Sequence, residues 1–143
     1  MQSLYLDTEF TCLSPDRRLI SLALVTPHGP EFYVELTDGW RLDDCSDFVV
    51  EVVLPQLDLS CHGQSQEAAR RALQAFLANR GDLEIVSDAL AWDGPLLLEL
   101  LGPAGLPANV LGCREQADLL SDLDEAQIPH HALLDARLMA RAG

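Results

Sequence analysis

The stretch Leu4-Tyr5-Leu6-Asp7-Thr8-Glu9-Phe10 places two carboxylates two residues apart inside an otherwise apolar run. A β-strand alternates its faces with period two, so Asp7 and Glu9 are expected to project from one side with Cβ atoms roughly 7 Å apart. At an effective dielectric of about 20 their repulsion is about 2 kcal/mol before any cost of burial. That is large against the stability of a small domain. Compensation is required, and a divalent cation is its simplest form.

Working outward from this strand, Leu13 to Arg18 carries Ser14-Pro15-Asp16 and reads as a turn, and Leu19 to Val25 is a continuous apolar run of strand length. Thr26-Pro27-His28-Gly29-Pro30 interrupts it, and Glu31 to Leu36 alternates and is rich in β-formers. Three consecutive antiparallel strands are expected. Asp43 or Asp44 is a candidate cap for a helix running to Val53, although Val49, Val50, Val52 and Val53 suit a strand equally. Ser65 fits the N-cap of a helix over Gln66 to Asn79 with Ala69, Leu73, Phe76 and Leu77 on one face and Gly81 past its end. Arg70 and Arg71 then read as a solvated face. Leu83 to Ser87 reads as a fourth strand. A helix from about Gly94 to Leu101 has Pro95 in its first turn, Asn109 to Cys113 reads as a short fifth strand, and His131 to Arg141 as an amphipathic helix. Strands first, then alternating helix and strand, predict an α/β domain over 1–143, a mixed sheet with helices packed on its faces.

The composition, 48% hydrophobic and 22% charged, is that of a globular chain. No apolar run approaches the roughly 20 residues that span a bilayer. With a strand starting almost at the N-terminus, no membrane association and a cytoplasmic location are expected. Cys12, Cys45, Cys61 and Cys113 show neither a CxxC pair nor zinc spacing, so they read as reduced, mostly buried thiols. The net charge is -14, and all nine basic residues are arginine. Such a chain repels a nucleic-acid backbone over most of its surface, which excludes a large non-specific DNA footprint. A cation-loaded carboxylate cluster would invert the potential locally, and short or single-stranded substrates would then be favoured over long duplexes.

Three segments carry the chemistry: Asp7-Thr8-Glu9-Phe10, then Ser87-Asp88-Ala89-Leu90-Ala91-Trp92-Asp93, then His130-His131-Ala132-Leu133-Leu134-Asp135-Ala136. In this order they resemble the three exonuclease motifs of the DEDDh 3′-to-5′ exonucleases, the family of oligoribonuclease, ribonuclease T and the proofreading subunit of bacterial DNA polymerase III. A DxE is weak by itself, whereas His-x4-Asp-Ala closing a chain that begins with a DTEF strand is much stronger. Thr11-Cys12-Leu13 is similar to the Thr-Gly-Leu that follows the first motif in oligoribonuclease-like members, with Cys12 where glycine is usual.

The resemblance implies a ribonuclease-H-like fold with a five-stranded mixed sheet and helices on both faces. It implies a metal-dependent exonuclease releasing nucleoside 5′-monophosphates from the 3′ end of single-stranded or short RNA, with DNA as the alternative substrate. Two Mg²⁺ or Mn²⁺ ions suit an all-oxygen ligand set and phosphodiester hydrolysis. By the resemblance, Asp7 bridges both ions, Glu9 and Asp135 complete the first site, and Asp93 supports the second. His130 is the general base, a role suited to a side chain of pKa about 6.5. Leu13 is the wedge against terminal bases, with Thr8, Phe10 and Trp92 as further substrate contacts. In a continuous helix His131 would share a face with Asp135, but family spacing selects His130, and Pro129 marks the start of the helix. Many relatives are homodimers, so a homodimer is the candidate assembly. The rival readings are a non-catalytic binding module of the same fold holding a structural cation, and an endonuclease, which would leave the His-x4-Asp without a reason.

Overall fold

The computed structural model describes residues 1–143. Strands β1 (Gln2–Phe10), β2 (Leu19–Val25) and β3 (Glu31–Leu36) form the antiparallel meander that the alternation predicts. A four-residue helix α1 (Leu59–His62) leads into β4 (Gly63–Gln64) and helix α2 (Gln66–Ala78). Strand β5 (Leu83–Ser87), helix α3 (Leu90–Leu101), strand β6 (Val110–Glu115) and helix α4 (Ala132–Ala142) follow. The sheet is mixed and six-stranded, in the order β4-β3-β2-β1-β5-β6, with β5 parallel to β1 and β6 parallel to β5. The strand beyond the expected five is β4, two residues paired with the end of β3, too short to leave a periodic signal.

Parity along β1 divides the core. Leu4 and Leu6 point into a cluster completed by Leu73 and Leu77 of α2 and Leu97 and Leu101 of α3. Tyr5 points to the opposite face, where Ala132, Ala136 and Met139 of α4 cover the sheet. Helices therefore lie on both faces. The small alanines of α4 bring its axis close to β1 and β2, and this proximity later matters for Asp135.

Several local expectations are corrected. Between 42 and 56 the chain is helical but irregular: a 3₁₀ turn, a π-helical turn over Val49–Val53 and a second 3₁₀ turn, with Val49 and Val53 packed on Ile20. Four β-branched valines resist a regular α-helix. Helix α3 begins at Leu90 instead of Gly94, so Pro95 sits inside it and leaves the exposed Ala91 carbonyl to water. The early start is supported by Ser87 Oγ accepting from the Ala89 N–H (3.0 Å) and a Glu115 carboxylate oxygen accepting from the Leu90 N–H (3.0 Å). Arg70 is no solvated arginine: its Nε donates to the Leu100 carbonyl (2.8 Å) and ties α2 to the end of α3. All four cysteines are free, yet none is buried; Cys12 and Cys45 are half-buried, and Cys61 and Cys113 are exposed. Cys113 is exposed because β6 is an edge strand on which only Val110 is buried. No helix is long and apolar enough to cross a membrane.

Neighbouring leucines of α3 test the packing. Leu97 is 1% exposed and Leu98 is 48% exposed. Leu97→Ala is expected to lower the free energy of unfolding by about 3 kcal/mol, and Leu98→Ala by no more than about 0.5 kcal/mol, as read by urea denaturation.

Candidate metal and active site

Asp7 and Glu9 share the face of β1 that meets α4, as period two requires. Helix α4 presents Asp135 in its first turn to the same place, so carboxylate oxygens of Asp7, Glu9 and Asp135 lie within 4.8 Å of one another. A second group built the same way joins Asp7 to Asp88 and Asp93 at the end of β5 and the start of α3. Asp7 belongs to both. The sequence singles out four of these five acids; Asp88 is the one it misses, although it stands one residue past the strand end that faces Asp7.

Asp93 does not cap its helix. It is buried, with Oδ1 accepting from the Thr8 hydroxyl and Oδ2 from the Ser87 hydroxyl, both at 2.6 Å. Thr8, expected among the substrate contacts, is itself buried and its hydroxyl is committed to this bond. Its structural task is to fix Asp93 against β1.

The cleft over these acids encloses about 310 Å³ and is also lined by Phe10, Leu13, Trp92, Leu120, Ile128 and His130. His130 reaches it from a left-handed backbone (φ 54°), while the Gln56 side-chain amide donates to the Pro129 and His130 carbonyls (2.7 and 3.3 Å) and holds the segment. Its Nε2 lies 2.7 Å from Oε1 of Glu125, and its ring meets Phe48 edge-on. A carboxylate only accepts, so Nε2 is the donor in this pair. His131 points elsewhere. Its Nε2 lies 3.2 Å from the Tyr33 hydroxyl, which in turn donates to the fully buried Glu35, and its Nδ1 accepts from the Leu134 N–H at the start of α4. The structure thus brings His130 to the acids and uses His131 to anchor the helix that carries Asp135.

Beside the cleft, Phe10 and Trp92 stack with planes 5° apart, and the Arg17 guanidinium lies 4.8 Å from the Trp92 ring centroid while donating to the Trp92 carbonyl (2.8 Å). The charge of Arg17 acts downward on the Asp93 pKa. Leu13 is 81% exposed, which rules out a core role for it. With Phe10, Cys12, Phe48 and Val49 it lines an apolar pocket of about 420 Å³ that opens next to Glu9.

Burial, followed by the charges of Asp93, Glu9, Asp135 and Asp88, holds the Asp7 pKa well above the ordinary carboxylate range. Burial and then Asp135 and Asp93 push Glu9 up to about 8. Burial raises Asp93 to about 6 against the opposing hydroxyls of Ser87 and Thr8, and raises Asp135 to about 6 against the opposing charge of His130. Four buried polar side-chain atoms have no hydrogen-bond partner: Asp7 Oδ2, Asp135 Oδ1, Arg17 Nε and Ser21 Oγ. Two orphaned acceptor oxygens inside an all-carboxylate cluster fit a hard divalent cation, which prefers oxygen ligands and supplies the missing positive charge. No family model matches the chain, and no curated protein is significantly similar to it.

The raised pKa values fix the sign of a pH dependence. Between the unfolded carboxylate values of about 4 and the folded values of about 6 to 8, the folded state holds more protons than the unfolded one, so stability falls as pH rises through this window. In EDTA the thermal midpoint is expected to fall from pH 5 to pH 8.5, and Asp7→Asn is expected to flatten that fall. Added Mn²⁺ is expected to raise the midpoint more at pH 8 than at pH 5, since the ligands must first lose their protons. Scanning fluorimetry across this range checks both.

Proposed function

We propose that this chain is a divalent-cation-dependent 3′-to-5′ exonuclease of the DEDDh type on a ribonuclease-H-like fold, acting on single-stranded or short RNA. The observation that carries the reading is the convergence of Asp7, Glu9, Asp93 and Asp135, with His130, on one cleft from segments spread between residues 7 and 135. The mixed sheet with helices on both faces supports it, as do the three motifs in their order.

Asp7, Glu9 and Asp135 would hold one Mg²⁺ or Mn²⁺ and Asp7 with Asp93 the other; bound there, the pair supplies Lewis-acid stabilisation of charge on the attacking and leaving oxygens. The chain's own groups do the rest. His130 takes the proton of the attacking water on the nitrogen that Glu125 does not occupy, and the Glu125 carboxylate, 2.7 Å from Nε2, stabilises the imidazolium that results. The apolar pocket of Leu13 and Phe48 takes a base, which stacks on aromatic and aliphatic surface without regard to its identity. The Arg17 guanidinium, set against Phe10 and Trp92, sits where it can partner a phosphate. Strand β1 and Thr8 keep the ligands in place, so little reorganisation is needed at the moment of reaction.

Stepwise shortening of a 5′-labelled oligoribonucleotide in Mn²⁺ tests the reading. Wild-type protein is expected to give a ladder shortening from the 3′ end, His130→Ala to slow it by about 10² to 10⁴-fold, and Asp7→Asn to abolish it. Undiminished shortening by Asp7→Asn would overturn the proposal.

A further inference from the structure

We infer that Asp88 is a direct ligand of the second cation, so that each of two cations is held by three protein carboxylates before any substrate arrives. This rests on the reading that the cleft holds divalent cations, and it changes what the second position is made of. Oxygens of Asp7, Asp88 and Asp93 converge within the same 4.8 Å as those of Asp7, Glu9 and Asp135. The two groups are equivalent in number and in chemistry.

Hydrogen bonding separates Asp88 from a turn residue that merely happens to be close. Both oxygens of Asp93 are held by hydroxyls, whereas no other residue donates to the Asp88 carboxylate, whose hydrogen bond comes from its own backbone N–H, and no arginine pairs with it. The hydroxyl of the adjoining Ser87 is already committed, since its Oγ donates to Asp93 and accepts from the Ala89 N–H. Asp88 thus faces Asp7 and Asp93 from the end of β5 with no cationic partner.

The orphaned Asp7 Oδ2 supplies the independent requirement. It is buried and unpartnered, and none of its carboxylate neighbours can donate to it when ionised. Because Asp7 is shared, one oxygen can serve each group, which is the arrangement that satisfies both. Charge points the same way: five carboxylates with one divalent cation leave three net negative charges in a half-buried cleft, and with two they leave one. A second position with only Asp7 and Asp93 offers a cation two carboxylates, and with Asp88 it offers three.

Counting bound Mn²⁺ on metal-stripped, substrate-free protein at pH 8, by the electron paramagnetic resonance of the free ion, tests the assignment. Wild type is expected to bind two ions per chain. Asp88→Asn is expected to bind one at the same free concentration, with the affinity of the other lowered at least about tenfold. Asp16→Asn, an exposed acid outside the cleft, is expected to retain two. The metal-free thermal midpoint of Asp88→Asn should not fall below that of wild type, because the substitution relieves repulsion; this excludes misfolding as the cause of a lost ion. Two ions bound to Asp88→Asn with unchanged affinities, or a single ion bound to wild type, would overturn the role of Asp88 and leave the cation reading standing. No ion bound to wild type would overturn the cation reading itself.

Discussion

The constraint on which the site depends is the burial of like charge at the end of β1. Asp7 and Glu9 project from a central strand with Asp93, Asp88 and Asp135 converging on them, and Asp7 Oδ2 accepts no hydrogen bond. A carboxylate in that position is tolerated only if it is protonated or faced by positive charge. The chain supplies almost none: Arg17 is the cation near the cleft, and it lies over Trp92 and Phe10 instead of pairing with a carboxylate. What the polypeptide builds is therefore an unneutralised cage. A divalent cation bound there would displace its protons, and by the same linkage would stabilise the folded state.

The surroundings of the cage are organised to prevent its relaxation. Repulsion of this size would rotate flexible side chains apart, but β1 is paired on both sides, Thr8 and Ser87 pin Asp93, and the first turn of α4 is held by the chain from His131 through Tyr33 to Glu35. The directions in that chain are determined. Glu35 only accepts, so Tyr33 donates to it; His131 Nδ1 accepts from Leu134, so its Nε2 proton faces the Tyr33 oxygen. Burial lowers the His131 pKa and keeps the ring in this neutral form. Two adjacent histidines thus divide the work, one fixing the backbone from which the other reaches the cleft.

Much of this was legible in the sequence where a periodic signal was long enough. The bounds of β2, β3 and β5 follow from apolar runs interrupted by Pro and Gly, and the parity of β1 alone places Asp7 and Glu9 together. What escaped depends on contacts between distant segments. The start of α3 is set by Ser87 and by Glu115, which lies 25 residues further on, and Pro95 suggested a later one. Thr8 looked available to substrate because its bond to Asp93 spans 85 residues. Asp88 carries no signal of its own in the sequence, and only the parallel pairing of β5 with β1 sets it beside Asp7. The buried Glu35 read as the polar side of an alternating strand, since sequence does not reveal that α4 covers that face.

The acidity of the whole chain is consistent with this site once range is considered. At physiological salt, surface charges are screened within about 8 Å, so the net charge of -14 governs how a polyanion approaches but not what it meets inside the cleft. A long duplex would lie across much uncompensated negative surface and lose affinity throughout its length. Under the proposed function, a short strand presenting one end would need only the cations, Arg17 and the apolar pocket beside Leu13. On that reading, an acidic surface around a cation-loaded cleft would act as a filter for ends over interiors and for short chains over long ones, without any residue that reads length. Under the same reading the pocket beside Leu13 would take a base; its lining is mostly apolar, with Glu9, the Ser46 hydroxyl and the Cys12 thiol as its polar side chains. Selection there would then work on geometry and charge, and the identity of the base would have little on which to act.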